Sequence, residues 1–200
     1  GVDLCVGCTY KYGNSGPGSP AWLYVSKKIQ KELQVPIQGW FAQDAQFEMG
    51  PVFERAQNIR GFQIASPSLM GIRCVKSSFS MIKDAGIDVI AQKAATGTQM
   101  MIDLYDAWLA PLGFELNTSR DSKERGGHIS LVHPDAAQIC VALREISNVI
   151  PDYRTPNSIR LAISPLPTSF VEVWDGFARM RDLVASGQYK TIKEGGSRVT

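Results

Sequence analysis

The sequence predicts an α/β chain in two parts: the end of a large α/β domain over residues 1–66, then a linking helix and a smaller α+β C-terminal domain over residues 67–200. Three observations carry this expectation. Short runs rich in branched and aromatic residues, bounded by glycine and proline, occupy the first quarter and have strand length. From Leu69 onward, apolar residues recur mostly at helical spacing and alternate with a few short strand-like runs. Between the two parts, residues 36–67 show little period and several glycines and aromatics, which reads as an irregular connection. Connections of that length are usually functional rather than filler.

The chain has 200 residues, 44% of them hydrophobic, enough to build a core in one or two domains. A net charge of +2 gives no reason to expect nucleic acid or an anionic membrane surface as partner. No run approaches the roughly 18 apolar residues of a membrane span. There is neither a signal peptide nor an initiator methionine, and the first residues already read as a strand. The expectation is therefore a piece of a longer polypeptide.

Taken in order, Val2 to Cys8 forms one buried strand and Ala21-Trp22-Leu23-Tyr24-Val25 a second. Residues 27–34 read as a short charged helix, closed by Val35-Pro36. Gly61 to Ala65 is a further short strand candidate. Ser66-Pro67 reads as a helix start, a serine cap followed by proline. Leu69, Ile72, Val75, Phe79 and Ile82 then share one helical face, and Gly86 ends that helix. A longer helix runs from Ile87 to Leu109, with Ile90, Ala94, Met101, Leu104, Tyr105 and Trp108 inward and Pro111-Leu112-Gly113 as its stop. Residues 114–126 read as a solvated loop. His128 to His133 alternates as a half-buried strand, which puts its two histidines on opposite faces and argues against a shared metal. Pro134-Asp135 opens a helix through Ser147, carrying Ile139, Leu143 and Ile146. Val149-Ile150 and Ser158 to Ile163 are short strands. Ser169 caps a last helix through about Gly187, with Val173, Phe177, Met180 and Val184 on one side. The polar tail from Glu194 to Thr200 is expected to fray.

Four cysteines are present, Cys5, Cys8, Cys74 and Cys140. The C-x-x-C of Cys5 and Cys8 could be a redox pair or half a zinc site. Nothing completes a metal set, and the pair lies in an apolar run. Buried free thiols in a reducing, cytoplasmic compartment are expected.

The stretch with the most chemical content is Cys8-Thr9-Tyr10-Lys11-Tyr12-Gly13-Asn14-Ser15-Gly16-Pro17-Gly18. One lysine sits between two tyrosines at a strand end, ahead of a glycine-rich loop. Partial desolvation among rings would favour its neutral amine, the form needed for covalent chemistry with a carbonyl. The glycines let the backbone pass close to a ligand. The plain alternative is a surface lysine with its stem on apolar rings. Arg160 stands within a strand between Ile159 and Leu161. A guanidinium there needs an anion, either a ligand carboxylate held by two parallel hydrogen bonds or a neighbouring Asp or Glu.

The run Gly1 to Tyr12 with Asn14-Ser15-Gly16-Pro17-Gly18 resembles the cofactor-lysine segment of kynureninase, a pyridoxal-phosphate (PLP) family of the aspartate-aminotransferase fold type. Gly39-Trp40-Phe41, Gly61 to Pro67 and Pro156-Asn157-Ser158-Ile159-Arg160 follow in the same order. The resemblance reaches to about Gly187 and corresponds to the C-terminal half of the family. It implies that residues 1–66 end a PLP-transferase-like large domain. Lys11 is implied to carry PLP and, once freed, to move protons. Tyr10 and Trp40 are implied to donate to the cofactor phosphate, and Tyr10 also to help proton transfer as a catalytic residue beside Lys11. Ser66 is implied to lie near cofactor and substrate, and Ala65 beside it leaves room without a hydrogen bond, which favours kynurenine over its 3-hydroxy form. Arg160 is implied to bind the substrate α-carboxylate.

The implied reaction is hydrolysis of kynurenine to anthranilate and alanine, in tryptophan catabolism by the kynurenine pathway towards NAD biosynthesis. The implied assembly is a cytoplasmic homodimer. The aspartate paired with the pyridine nitrogen is expected upstream of Gly1, so the 200-residue piece alone is expected to be inactive. Gly13 stands where relatives often carry a larger apolar residue. Two alternatives remain open. One is another PLP enzyme of this fold, a class V aminotransferase or a cysteine desulfurase, although Cys74 and Cys140 lie in helical patterns and not on a mobile loop. The other is a non-catalytic fragment.

Overall fold

The computed structural model describes residues 1–192 and resolves into two compact units, Gly1–Ala85 and Gly86–Thr200. The expected tail from Glu194 to Thr200 lies outside the described residues. The break follows the first long helix, whereas the sequence pattern suggests a boundary before it. That helix makes its contacts within the first unit, and a left-handed Gly86 (φ 83°) separates it from the next helix.

In the first unit, strand β1 (Leu4–Cys8) pairs antiparallel with β2 (Ala21–Val25), Cys8 opposite Ala21 and Leu4 opposite Val25. Both strands occur where expected, but they are not buried: Leu4, Val6, Trp22, Leu23 and Tyr24 are exposed. A two-stranded ribbon leaves both faces open unless another layer covers it. Residues 27–32 form successive turns, and no helix forms over 27–34. The Ile29 N–H donates to the Ser26 carbonyl, and Gln30 is buried with its side-chain amide on the Val25 carbonyl at 2.8 Å. That amide contact and the nearby Pro36 favour a compact turn over a regular helix.

The connection that follows is irregular as expected, with one bridge between Gln43 and Arg55 and two single helical turns, Trp40–Ala42 and Ile59–Phe62. The second of these replaces the strand expected over Gly61 to Ala65. Its first turn is closed by the Asn58 side chain, which accepts from the Arg60 N–H.

Helix α1 (Leu69–Ala85) is capped by Ser68, not by Ser66, because the Ser68 hydroxyl accepts from the Gly71 N–H at 3.1 Å. Its inward line is Gly71, Val75, Ser78 and Ile82, with Gly71 and Ser78 buried. Leu69, Ile72 and Phe79 of the expected face are exposed. Small residues face inward because the β1–β2 loop backbone comes close. A Cβ on Gly71 would sit 2.8 Å from the Gly18 carbonyl oxygen and 2.9 Å from Pro20 Cδ.

Among the described residues, the second unit holds an antiparallel sheet of order β3-β4-β6-β5 with three α-helices. Its strands are β3 (Glu115–Leu116), β4 (His128–Val132), β5 (Asp152–Arg154) and β6 (Ser158–Ala162). The helices are α2 (Ile87–Leu104), α3 (Ala136–Glu145) and α4 (Phe170–Ala185). A π-helical turn, Tyr105–Leu109, continues α2 to about the expected end. Strand β3 falls in the stretch expected to be loop, and β5 lies beyond the expected Val149-Ile150, where Ile150 is 81% exposed. Ile129, Leu131 and Ile159 are fully buried with Met101, Ile102, Leu109, Ile139, Leu143, Phe177 and Met180 in one core. Strand alternation then sends Ser130, Ser158 and Arg160 to the other face.

Helix α4 starts with a capping box. Ser169 accepts from the Glu172 N–H, and the Glu172 carboxylate accepts from the Ser169 N–H. The Ser169 N–H and hydroxyl both donate to the Glu172 carboxylate and hold it below its usual range.

Of the four thiols only Cys140 is buried. Cys5 is exposed and Cys8 half-buried because residues three apart on a strand face opposite sides, so the C-x-x-C cannot close as a pair there. No disulfide joins the described cysteines. Among the described residues, no helix is long and apolar enough to cross a membrane.

Candidate functional site

Lys11 lies on the loop between β1 and β2. The loop is held at three points. The Thr9 hydroxyl donates to the Pro20 carbonyl at 2.6 Å, and the Ser15 N–H donates to the Thr9 carbonyl at 3.1 Å. The Ser15 and Ser78 hydroxyls share a buried hydrogen bond of 2.8 Å. Gly16 and Gly18 take positive φ (78° and 84°), which L side chains seldom adopt. A Cβ at Gly13 would stand 2.6 Å from the Thr9 carbonyl oxygen and 3.0 Å from a Phe79 ring carbon. The larger residue common in the resembled family therefore does not fit this turn as it stands.

Lys11 itself is exposed, and its ammonium lies 5.3 Å from the Tyr10 ring centre. The described residues do not desolvate it. Tyr10 and Tyr12 are about half exposed, at 46% and 51%, and so do not bury the amine between them. The amine makes no ion pair among the described residues. What the loop supplies is a reachable amine on a pinned backbone.

Trp40 is half exposed, and its indole N–H donates to the Gln46 carbonyl at 2.9 Å. Phe41 and Phe47 meet its ring edge-on, at 5.6 and 5.8 Å between centres. It borders an open cavity of about 430 Å³ with Gln43, Gln46 and Phe53. Gly39 is required beside it, since a Cβ there would fall 2.1 Å from the Ile64 carbonyl oxygen. Ala65 lines a different cavity of about 510 Å³, with Trp22, Leu23, Phe62 and Pro67. Ser66 is exposed and makes no hydrogen bond among the described residues.

Arg160 belongs to the second unit. On β6 it stands opposite Ser130 of β4 and Asp152 of β5. One guanidinium nitrogen, Nη2, pairs with Asp152 Oδ2. The same oxygen accepts from Arg154 Nε at 3.0 Å and Nη2 at 2.8 Å. Beside them the Ser130 and Ser158 hydroxyls are 2.9 Å apart. Of the two anions open to Arg160 on sequence grounds, the neighbouring carboxylate is thus present. Its other guanidinium nitrogens carry no hydrogen bond among the described residues.

Sequence reasoning missed Asp152. The signal was available: counting outward from Pro156 pairs Arg154 with Ser158 and Asp152 with Arg160, as the observed register does. It also missed Arg125, which ties the 117–127 loop to α2 through Thr98 (3.0 Å) and Gln99 (2.9 Å).

Each unit thus carries one cationic group suited to an anionic or carbonyl ligand: an amine on a braced loop, and a guanidinium on a polar strand face. Residues 90–180 match the kynureninase C-terminal domain. The chain is 40% identical over 192 residues to a kynureninase of Geobacillus thermodenitrificans, covering 95% of this chain and 44% of that protein. It spans less than half the length of the curated kynureninases it matches. Among solved structures it is similar to the apo form of a cysteine desulfurase from Thermococcus onnurineus, with TM-score 0.73 and 16% identity over 92% of this chain and 48% of that one. It is also similar to a C-DES variant with glycine covalently linked to its PLP cofactor, with TM-score 0.69 and 14% identity over 82% of this chain and 43% of that one. At these identities the structural likeness is one of fold. The molecule has the mixed α/β fold of the C-terminal part of PLP-dependent, aminotransferase-like enzymes, and the kynureninase sequence match runs through both units.

Proposed function

We propose that this polypeptide supplies the amine and the carboxylate anchor of a kynureninase, the PLP-dependent enzyme that hydrolyses kynurenine or 3-hydroxykynurenine to anthranilate, or its hydroxy form, and alanine. The observation that carries the reading is the kynureninase match over 95% of the sequence, on both sides of Lys11 and Arg160.

The residues present fit a cofactor aldehyde at Lys11. The amine is exposed, makes no ion pair among the described residues and rides a loop fixed by buried hydrogen bonds. When bound, PLP would supply the electron sink for loss of the α-proton and for cleavage of the bond between the β and γ carbons of kynurenine. Lys11 would hold the cofactor and afterwards move a proton at the substrate α-carbon. Tyr10 would donate its phenol to the phosphate. Trp40 would donate to the same group of oxygens, once its indole N–H has left the Gln46 carbonyl. Ser66 is available to turn towards a ligand, because the helix cap falls to Ser68. Ala65 would leave space beside the substrate ring. Arg160 would take the α-carboxylate on its open nitrogens.

Residues 1–66 would complete a large PLP-binding domain, and residues 67–200 would form the linking helix and small domain. The full protein would act as a cytoplasmic homodimer on a small-molecule substrate, without nucleic acid or membrane. The test is an anthranilate fluorescence assay of the full-length protein given kynurenine, with cysteine and alanine as competing substrates. Anthranilate release that is lost in Lys11→Ala is expected. Desulfuration or transamination in its place rejects the reading.

A further inference from the structure

The Arg160 pair raises the question of what Asp152 does there. A carboxylate beside a substrate-binding arginine could compete with the substrate or could hold the arginine ready for it. The geometry favours holding. Asp152 is the direct cross-strand neighbour of Arg160, so its place is set by the sheet register and not by a side-chain rotamer alone. It engages one nitrogen, Nη2, and leaves the rest of the fork without a hydrogen bond among the described residues. Asp152 is in turn gripped by two nitrogens of Arg154. The charges of Arg154, Asp152 and Arg160 sum to one positive, so the trio still attracts an anion. An arginine already fixed in place loses less rotamer freedom when it binds.

We propose that Asp152 is a positioning residue that fixes the Arg160 guanidinium for a substrate carboxylate, with Arg154 bracing Asp152. This rests on the assignment of Arg160 given above. Full-length protein carrying Asp152→Asn, Arg160→Ala or both would be assayed with kynurenine and with kynurenine carboxamide, whose carboxylate is masked. Asp152→Asn is expected to raise KM for kynurenine roughly tenfold, the scale of one charged hydrogen bond, with kcat nearly kept and KM for the carboxamide unchanged. In the Arg160→Ala background it should add nothing. A lowered KM for kynurenine would make Asp152 a competitor and overturn the proposal, as would equal effects on both substrates or full additivity with Arg160→Ala. If Arg160→Ala raises KM while Asp152→Asn does not, the positioning role alone fails. If Arg160→Ala leaves KM unchanged, the assignment of Arg160 fails with it. Should Asp152→Asn not fold, Arg154→Gln probes the brace: a KM rise confined to kynurenine is expected, and a KM equal to wild type overturns the proposal.

Discussion

The hydroxyls of Ser15 and Ser78 meet at 2.8 Å in a buried site, one on the lysine loop and the other on the inward line of α1. This contact joins the loop to the helix. Ser78→Ala removes one partner and leaves the Ser15 hydroxyl with only a long 3.4 Å bond to the Gly13 carbonyl. A loss of about 1–2 kcal/mol is expected from the desolvated, unmatched hydroxyl. Denaturant unfolding of the protein would measure it, and faster amide exchange at Ser15 would place the loss at the loop.

His133 is buried, ringed by Phe114 at 4.6 Å and Tyr189 at 6.4 Å, and its Nδ1 accepts from the Asp135 N–H at 3.0 Å. Burial is the main cause that lowers its pKa from the ordinary 6.5, with Asp135 pulling the other way. The folded form therefore resists the proton that the unfolded form accepts. Stability contributed by the neutral ring is full above 6.5 and declines as pH falls below that value towards the folded pKa. Unfolding free energies measured between neutral and mildly acidic pH should fall for the wild type and fall less for His133→Gln.

Cys140 is buried in the second core, and burial pushes its thiol up to about 12. It should stay unlabelled by iodoacetamide at neutral pH while the protein is folded, whereas Cys5 and Cys74 are exposed and should be modified first. Mass spectrometry of peptides from native and denatured protein would read the order. Rapid native labelling of Cys140 would contradict the packing described.

Ser169→Ala removes the side-chain half of the α4 capping box, leaving the Ser169 backbone N–H on Glu172, and should cost about 1 kcal/mol. Ser169→Asp should restore most of it, since Asp also caps and adds charge at the favourable helix end. Thermal melts of the three forms would check the order.

The second unit was largely legible because its helices obey simple periodicity. Val173, Phe177, Met180 and Val184 are spaced for one helical face and are all buried. Ile129, Leu131 and Ile159 alternate with polar residues and are buried too. Strand β3 escaped because two residues carry no period, and β5 because the apolar Val149-Ile150 outweighed Asp152, whose pairing is decided across the strand. The first unit was harder to read. In α1 the apolar face named from spacing includes exposed Leu69, Ile72 and Phe79, while the tightest contact falls on Gly71. A glycine chosen for how close another backbone comes has no signature in a hydrophobicity pattern. At the candidate site, Lys11 and Arg160 were found as residue types in context, but the partner of Arg160 depends on register, and the exposure of Lys11 on what covers the loop.

The turn between β5 and β6 carries a constraint on how this protein can vary. Arg154 pairs with Ser158 across three residues, Thr155, Pro156 and Asn157. Adding or deleting a single residue there would slide β6 by one step against its neighbours and exchange its two sides. Arg160 would then be driven into the apolar interior, and Ile159 with Leu161 would be turned out to water. Substitutions within those three residues can be absorbed; changes in their number cannot, so loop-length tolerance in this segment should be far lower than in the 117–127 loop.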